Sequence, residues 1–87
     1  MMNNKLKEKL QLLIDRSSML GLEKQDVSTA QELLHNLEFG LSLDTVVNQL
    51  YEYDIHIDKE TFDLIEYIIE YMNLPKEEYS FVKDLCS

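Results

Sequence analysis

The sequence has few residues that interrupt regular structure, with two glycines and one proline among 87 residues. Turn-rich β-sandwiches and barrels need many such residues, so the composition disfavours an all-β fold. The single cysteine, Cys86, excludes an intramolecular disulfide and a zinc site built on several thiolates. The chain is also too short for a nucleotide-binding α/β domain or a β/α barrel, and we expect residues 1–87 to form one domain.

Long apolar runs are missing as well. The most apolar stretch, residues 64–72, is interrupted by Glu66 and Glu70 and is far too short to span a bilayer. The N-terminal residues contain no apolar run of the length found in signal peptides. A small domain without disulfides is typical of reducing compartments, so we expect cytoplasmic localisation and no membrane contact.

The sequence also lacks catalytic and cofactor-binding motifs. The two histidines, His35 and His56, fall on the polar side of a predicted helix and in a loop, where solvated histidines are common. His56 lies between Asp54 and Asp58, but this spacing supplies too few ligands for a metal ion. Glycine-rich phosphate loops and nucleophile motifs are missing. We therefore predict that the protein is not an enzyme and uses no cofactor.

Helical periodicity runs through nearly the whole sequence, because apolar residues recur three and four positions apart. We predict an all-α fold, a compact bundle of four to five short helices. The predicted helices are residues 4–20 ended by Gly21, a second that follows a linker over residues 22–26 and runs from a cap at Ser28 to Gly40, a third from a cap at Ser42, a fourth over about 59–72 capped by Asp58 and stopped by Asn73, and a last one from Pro75 through Leu85. The first and third helices each carry an apolar stripe that is expected to be buried, namely Leu6, Leu10, Leu13 and Ile14, and Leu43, Val46, Val47 and Leu50. The fourth is expected to be the central helix, and the isoleucines of the 54–57 connector are expected to reach the core.

The charge is uneven along the chain. Residues 1–25 carry five basic and three acidic residues, whereas residues 26–75 carry eleven acidic residues against Lys59 alone. The formal net charge of the chain is −9. Such a surface repels nucleic acids and anionic membranes and attracts basic proteins. We therefore expect a protein partner and no direct nucleic-acid binding.

Tyrosines accompany these acidic residues in the middle segment. On the fourth predicted helix, Tyr67 lies in a stripe of carboxylates on which no lysine follows Lys59. Tyrosine offers a large contact area at low entropic cost and is common at binding hot spots. A solvated helix face is the alternative interpretation. The predicted partner-binding residues are Tyr51, Glu52, Tyr53, Asp54, Asp58, Asp63, Glu66, Tyr67 and Glu70.

Two segments in this region resemble a known family. The segments LHNLEFGLSL at residues 34–43 and NQLYEYDI at residues 48–55 are similar to MafI-type immunity proteins of bacterial polymorphic toxin systems, including those of contact-dependent growth inhibition. The family pattern has an Asn-Glu-aromatic-Gly turn followed by a helix that ends in Leu-Tyr-Glu-Tyr-Asp-Ile. This sequence keeps the second part and carries Leu37 between Asn36 and Glu38 in the first.

The resemblance implies a small, acidic, helical protein that neutralises a cognate secreted toxin, most often a nuclease, EndoU-like ribonucleases among them. A nuclease is basic where it holds phosphates, so an acidic inhibitor would associate with it quickly. The alternative is an acidic helical adaptor or a regulatory protein that mimics DNA, since such a protein also presents carboxylates on a helical scaffold.

Overall fold

The computed structural model describes residues 4–86, which form four α-helices and a terminal 3₁₀ helix. The elements are α1 (Asn4–Leu20), α2 (Lys24–His35), α3 (Phe39–Glu52), α4 (Lys59–Tyr71) and the 3₁₀ helix (Lys76–Leu85). Residues 4–86 contain no β-strand, and their only bridge is an isolated parallel one between Ile57 and Cys86. The prediction of an all-α fold with four to five helices is therefore confirmed.

One hydrophobic core joins all of these elements. The apolar stripes predicted on α1 and α3 are buried, and α4 adds a third one. The core side chains with essentially no exposure include Leu10, Leu13, Ile14, Leu43, Val46, Val47, Leu50, Ile65, Ile68 and Ile69. Their helical spacing places each set on one face, so burial of these faces rather than helix propensity stabilises the short helices.

Helix α1 lies in the middle of the bundle. Helix α1 contacts α2, α3 and α4, whereas α4 packs on α1 and the 3₁₀ helix and does not reach α2 or α3 within residues 4–86. The expectation that α4 is central is therefore wrong. Its exposed carboxylates and tyrosines occupy the half of its surface that a central helix would have to bury.

Two helix starts differ from the prediction. Helix α2 begins at Lys24, before Ser28, and α3 begins at Phe39, before Ser42. Ser42 is fully buried and its hydroxyl donates a hydrogen bond to the Ala30 carbonyl oxygen, 2.9 Å away, which ties α3 to α2. Gly40 lies inside α3 and does not end α2. The sequence misleads at these serines because a cap and a helix-interior serine look alike in a sequence.

All four α-helices end in the same way, with a residue in the left-handed conformation just after the helix. These residues are Gly21 (φ 117°), Leu37 (φ 64°), Asp54 (φ 53°) and Asn73 (φ 57°). At each end the next amide donates to a carbonyl five residues back, as for Ile55 to Leu50 at 2.9 Å. Gly21 and Asn73 are the stops that the sequence predicts. Leu37, the residue inserted in the family-like turn, takes this conformation despite its Cβ atom.

The connector after α3 and the 3₁₀ helix close the bundle. Ile57 is buried, and its amide donates to the Leu85 carbonyl oxygen at 2.8 Å, while Ile55 is half-buried. Asp58 caps α4 as predicted, since its side chain accepts from the Thr61 amide at 2.9 Å. None of the helices within residues 4–86 combines the length and apolarity needed to cross a membrane.

Candidate protein-binding surface

The predicted partner-binding residues fall on two separate parts of the surface. We define the α4 face as Asp63, Glu66, Tyr67 and Glu70. We define the α3 corner as residues 51–54 together with Glu23 and Asp26, whose charges act on Tyr53. Within residues 4–86, helices α3 and α4 do not pack on each other, and the 3₁₀ helix packs against both. Asp58 belongs to neither set, because it caps α4 at the opposite end of that helix from Glu70.

The carboxylates of the α4 face are largely paired. Lys59 Nζ lies 3.1 Å from Asp63 Oδ1, and Lys76 Nζ of the 3₁₀ helix lies 2.8 Å from Glu70 Oε2. The hydrogen bond and the charge of Lys76 lower the pKa of Glu70, and Glu70 in turn raises the pKa of Lys76. Glu66 is half-buried and has no ion-pair partner within 4 Å in residues 4–86. The fold therefore supplies a second base that inspection of α4 alone does not reveal.

Tyr67 on the same face is also engaged. Its ring stacks on Tyr71 with centroids 5.9 Å apart, and Lys9 Nζ of α1 lies 5.2 Å from the centre of the ring. This leaves the residue 37% exposed. A cation over the ring neutralises part of the negative field that the sequence predicts around Tyr67.

The α3 corner is different, because its tyrosines are more exposed and its carboxylates are unpaired. Tyr51 is 48% and Tyr53 49% exposed. Tyr51 is held by an edge contact with Phe81, 5.1 Å between centroids, which fixes the orientation of its ring. Within residues 4–86 no lysine or arginine lies within 4 Å of Glu52 or Asp54, and only His56 approaches Asp54, at 3.8 Å.

The start of α2 adds two further acidic residues to the α3 corner. The charges of Glu23 and Asp26, followed by burial and the charge of Glu52, raise the pKa of Tyr53. Helices α2 and α3 run antiparallel, as Gln49 donates to Asp26 at 3.1 Å and Ser42 to Ala30. The start of α2 is therefore beside the end of α3. Sequence reasoning misses Glu23 and Asp26 because residues 22–26 have the appearance of a linker.

Other candidate groups remain dispersed. Within residues 4–86 no three histidine, cysteine or acidic side chains are grouped so as to hold a metal ion. His35 and His56 are both exposed, and Cys86 is a half-buried free thiol. Tyr79 donates a 2.7 Å hydrogen bond to Asp44 Oδ1 and thereby fastens the 3₁₀ helix to α3.

Comparisons of the chain with protein-family models, curated proteins and solved structures find no match.

Proposed function

We propose that the protein is an immunity protein, which binds a cognate bacterial toxin and blocks its activity through the acidic, tyrosine-bearing surface. The observation that carries the proposal is the α3 corner. There, two half-exposed tyrosines lie among the carboxylates of Glu23, Asp26, Glu52 and Asp54, and within residues 4–86 no lysine or arginine side-chain nitrogen is within 4 Å of these carboxylate oxygens. The family-like segment LYEYDI supplies four of these surface residues.

The chemistry of this surface selects a basic partner. Surplus carboxylates steer a positively charged protein during the encounter, which accelerates association. The rings of Tyr51 and Tyr53 then provide apolar area whose burial slows dissociation. A nuclease domain has the required charge, since it must attract phosphates to its active site. A nuclease toxin, such as an EndoU-like ribonuclease, is therefore the proposed partner.

The test expresses the C-terminal domain of the product of the adjacent open reading frame, which we expect to be the toxin, and titrates it with the purified protein. Nuclease activity is expected to fall linearly to zero at one equivalent, and the two chains are expected to elute together on gel filtration. Tyr53→Ala should weaken the complex by about 1–3 kcal/mol, mainly through faster dissociation. Tyr53→Phe is the matched control, since it keeps the ring and should retain most of the affinity.

Two outcomes would contradict the proposal. If the toxin domain stays active in the presence of excess protein and no complex forms, the immunity function is wrong. If the protein instead binds several unrelated DNA-binding proteins in competition with duplex DNA, the DNA-mimic alternative would replace it.

A further inference from the structure

A groove between α1 and α4 lies apart from the α3 corner. Its walls are mostly apolar and it encloses about 350 Å³ between the C-terminal half of α1 and the first turn of α4. This volume is at the lower end of the range for ligand sites in proteins. The groove exists because α1 extends to Leu20 while α4 starts beside it, so the outer side chains of α1 have no helix to cover them.

Three exposed apolar side chains lie together at this groove. Met19 is 87% exposed, Leu12 42% and Leu20 37%, and all three line the same concavity. Adjacent exposed apolar side chains commonly mark an interaction site, whereas single ones are ordinary surface. The flexible thioether of Met19 can adapt to the shape of an incoming side chain.

Carboxylates outnumber bases at the rim of the groove. Arg16 is held in place by Glu60, at 3.2 Å from its Nη2, and by Asp58, at 3.9 Å from its Nη1. Asp15, which also lines the groove, is exposed, and its one side-chain hydrogen bond within residues 4–86 is accepted from Gln11 at 3.1 Å. The groove lining therefore holds one guanidinium and two carboxylates, and Glu60 adds a third carboxylate beside Arg16, so the local net charge is negative. This excess disfavours an anionic ligand and favours a cationic one.

A second copy of this chain fits the groove poorly. Each copy carries a net charge of −9, and the same acidic rim would face itself in a symmetric dimer. Three partly exposed side chains also contribute far less area than the roughly 1,000 Å² that a stable interface buries. The charge and the size of the groove both indicate a short, basic segment instead.

We propose that the groove receives a leucine or similar apolar side chain from a basic amphipathic helix of a partner protein. The lysines or arginines that flank this side chain lie against Asp15 and Asp58, while Leu12, Met19 and Leu20 enclose it. Apolar contact with the bound side chain supplies the affinity. The carboxylates at the rim of the groove select a partner segment with positive charge. The site does not depend on the proposed toxin-binding function, and its test needs no toxin.

The test uses protein with ¹³C-labelled methionine methyl groups and a synthetic 14-residue peptide of leucine and lysine with leucines at helical spacing. The Met19 methyl resonance, assigned by its loss in Met19→Ile, is expected to shift and saturate during the titration. The resonance of Met72, which is half-buried at the C-terminal end of α4, is the internal reference and should move little. A scrambled peptide of identical composition should bind at least tenfold more weakly, and a leucine–glutamate peptide should not bind.

Matched variants of the chain test the location. Leu12→Ser with Met19→Ser should weaken peptide binding at least tenfold. Leu37→Ser with Leu41→Ser removes another exposed apolar pair, 60% and 54% exposed, and should change binding less than twofold. The proposal is overturned if the scrambled or acidic peptide binds as well, if the control pair weakens binding equally, or if Met19 shifts with protein concentration alone, which would indicate self-association.

Discussion

The α4 face and the α3 corner are built from the same residue types but differ in what surrounds them. On the α4 face, Lys59, Lys76 and Lys9 lie against Asp63, Glu70 and the Tyr67 ring. At the α3 corner, the charges of Glu23 and Asp26 raise the pKa of Tyr53, and Tyr51 and Tyr53 are about half exposed. Within residues 4–86 no lysine or arginine side-chain nitrogen lies within 4 Å of the carboxylates of Glu52 and Asp54. Lysines therefore neutralise most of the negative charge of the α4 face, whereas the negative charge of the α3 corner is not neutralised by a neighbouring lysine or arginine within residues 4–86.

This difference shows that the number of acidic residues on one helix does not by itself determine the electrostatic potential at the surface of that helix. Exposed ion pairs contribute little to stability, yet they cancel much of the long-range attraction that the carboxylates would exert on a basic partner. Carboxylates at the end of α3 also face the negative end of that helix dipole, which is an unfavourable position. The helix dipole therefore gives these carboxylates no stabilising role in the fold, and the proposed toxin contact is the role that we assign to them.

The largest effect on stability is expected from a core substitution in the 3₁₀ helix, which packs against both α3 and α4. Leu85→Ala removes a buried side chain, 2% exposed, from the 3₁₀ helix, and should destabilise the fold by about 2–4 kcal/mol. Urea denaturation followed by circular dichroism measures the change. Lys83→Ala, on the exposed side of the same helix, should cost little. A loss below about 1 kcal/mol for Leu85→Ala would mean that the 3₁₀ helix contributes little to the fold.

Charge reversal compares the two regions directly as binding surfaces for the proposed toxin. Glu52→Lys with Asp54→Lys should slow association at least tenfold at low ionic strength, an activation cost of about 1.4 kcal/mol, and should flatten its salt dependence. Glu66→Lys with Glu70→Lys changes the net charge by the same amount and is the matched control. It should slow association less, because Lys76 already neutralises Glu70.

Stopped-flow kinetics at several ionic strengths separate the possible results. Equal slowing by both double variants would show that only net charge matters. A larger effect on the α4 face would reverse the assignment of the main contact surface.

The link between the 3₁₀ helix and α3 is tested by Tyr79→Phe. Loss of the hydrogen bond to Asp44 should cost about 1–2 kcal/mol at neutral pH. Burial, and then the hydrogen bond and charge of Asp44, raise the pKa of Tyr79 above its ordinary value of 10.0. The contribution of the hydroxyl is therefore fully present below pH 10.0 and is lost as the pH rises towards the raised pKa.

The stability difference between the wild type and Tyr79→Phe should accordingly be constant from pH 6 to 9, roughly, and shrink in stronger alkali. Denaturation of both proteins in parallel measures it. A difference that grows with pH would mean that the folded state lowers the pKa of Tyr79 instead of raising it.

The smallest expected effect is the change in the free energy of unfolding when one carboxylate of the α3 corner is removed. Asp54→Asn keeps a residue that tolerates the left-handed conformation and removes a charge from the C-terminal end of α3. It should stabilise the protein by about 0.3–1 kcal/mol while weakening toxin binding. Glu77→Gln, an exposed change in the 3₁₀ helix, is the control for loss of one negative charge. No gain in stability, or unchanged binding, would remove the argument that this carboxylate serves a partner.

The sequence alone determined the helical class, the core stripes of α1 and α3, the cap at Asp58 and the stops at Gly21 and Asn73. These features depend on the spacing of apolar residues, on backbone conformational preferences and on the hydrogen-bonding capacity of single side chains. All three can be read from the sequence without knowledge of tertiary contacts. The partner-binding role that the sequence assigns to the tyrosines and carboxylates of residues 51–54 stays a prediction. Helix starts at Lys24 and Phe39 were missed, because Glu23 and Glu38 make no side-chain cap that a pattern could reveal.

Tertiary structure decided which carboxylates remain unpaired. Antiparallel packing of α1 on α4 puts Lys9 over Tyr67, and the 3₁₀ helix carries Lys76 to Glu70. The α2–α3 hairpin brings Glu23 and Asp26 beside Tyr53. Each of these contacts joins residues that belong to different elements of the chain, and ionic interactions depend on distance in space and not on separation in sequence.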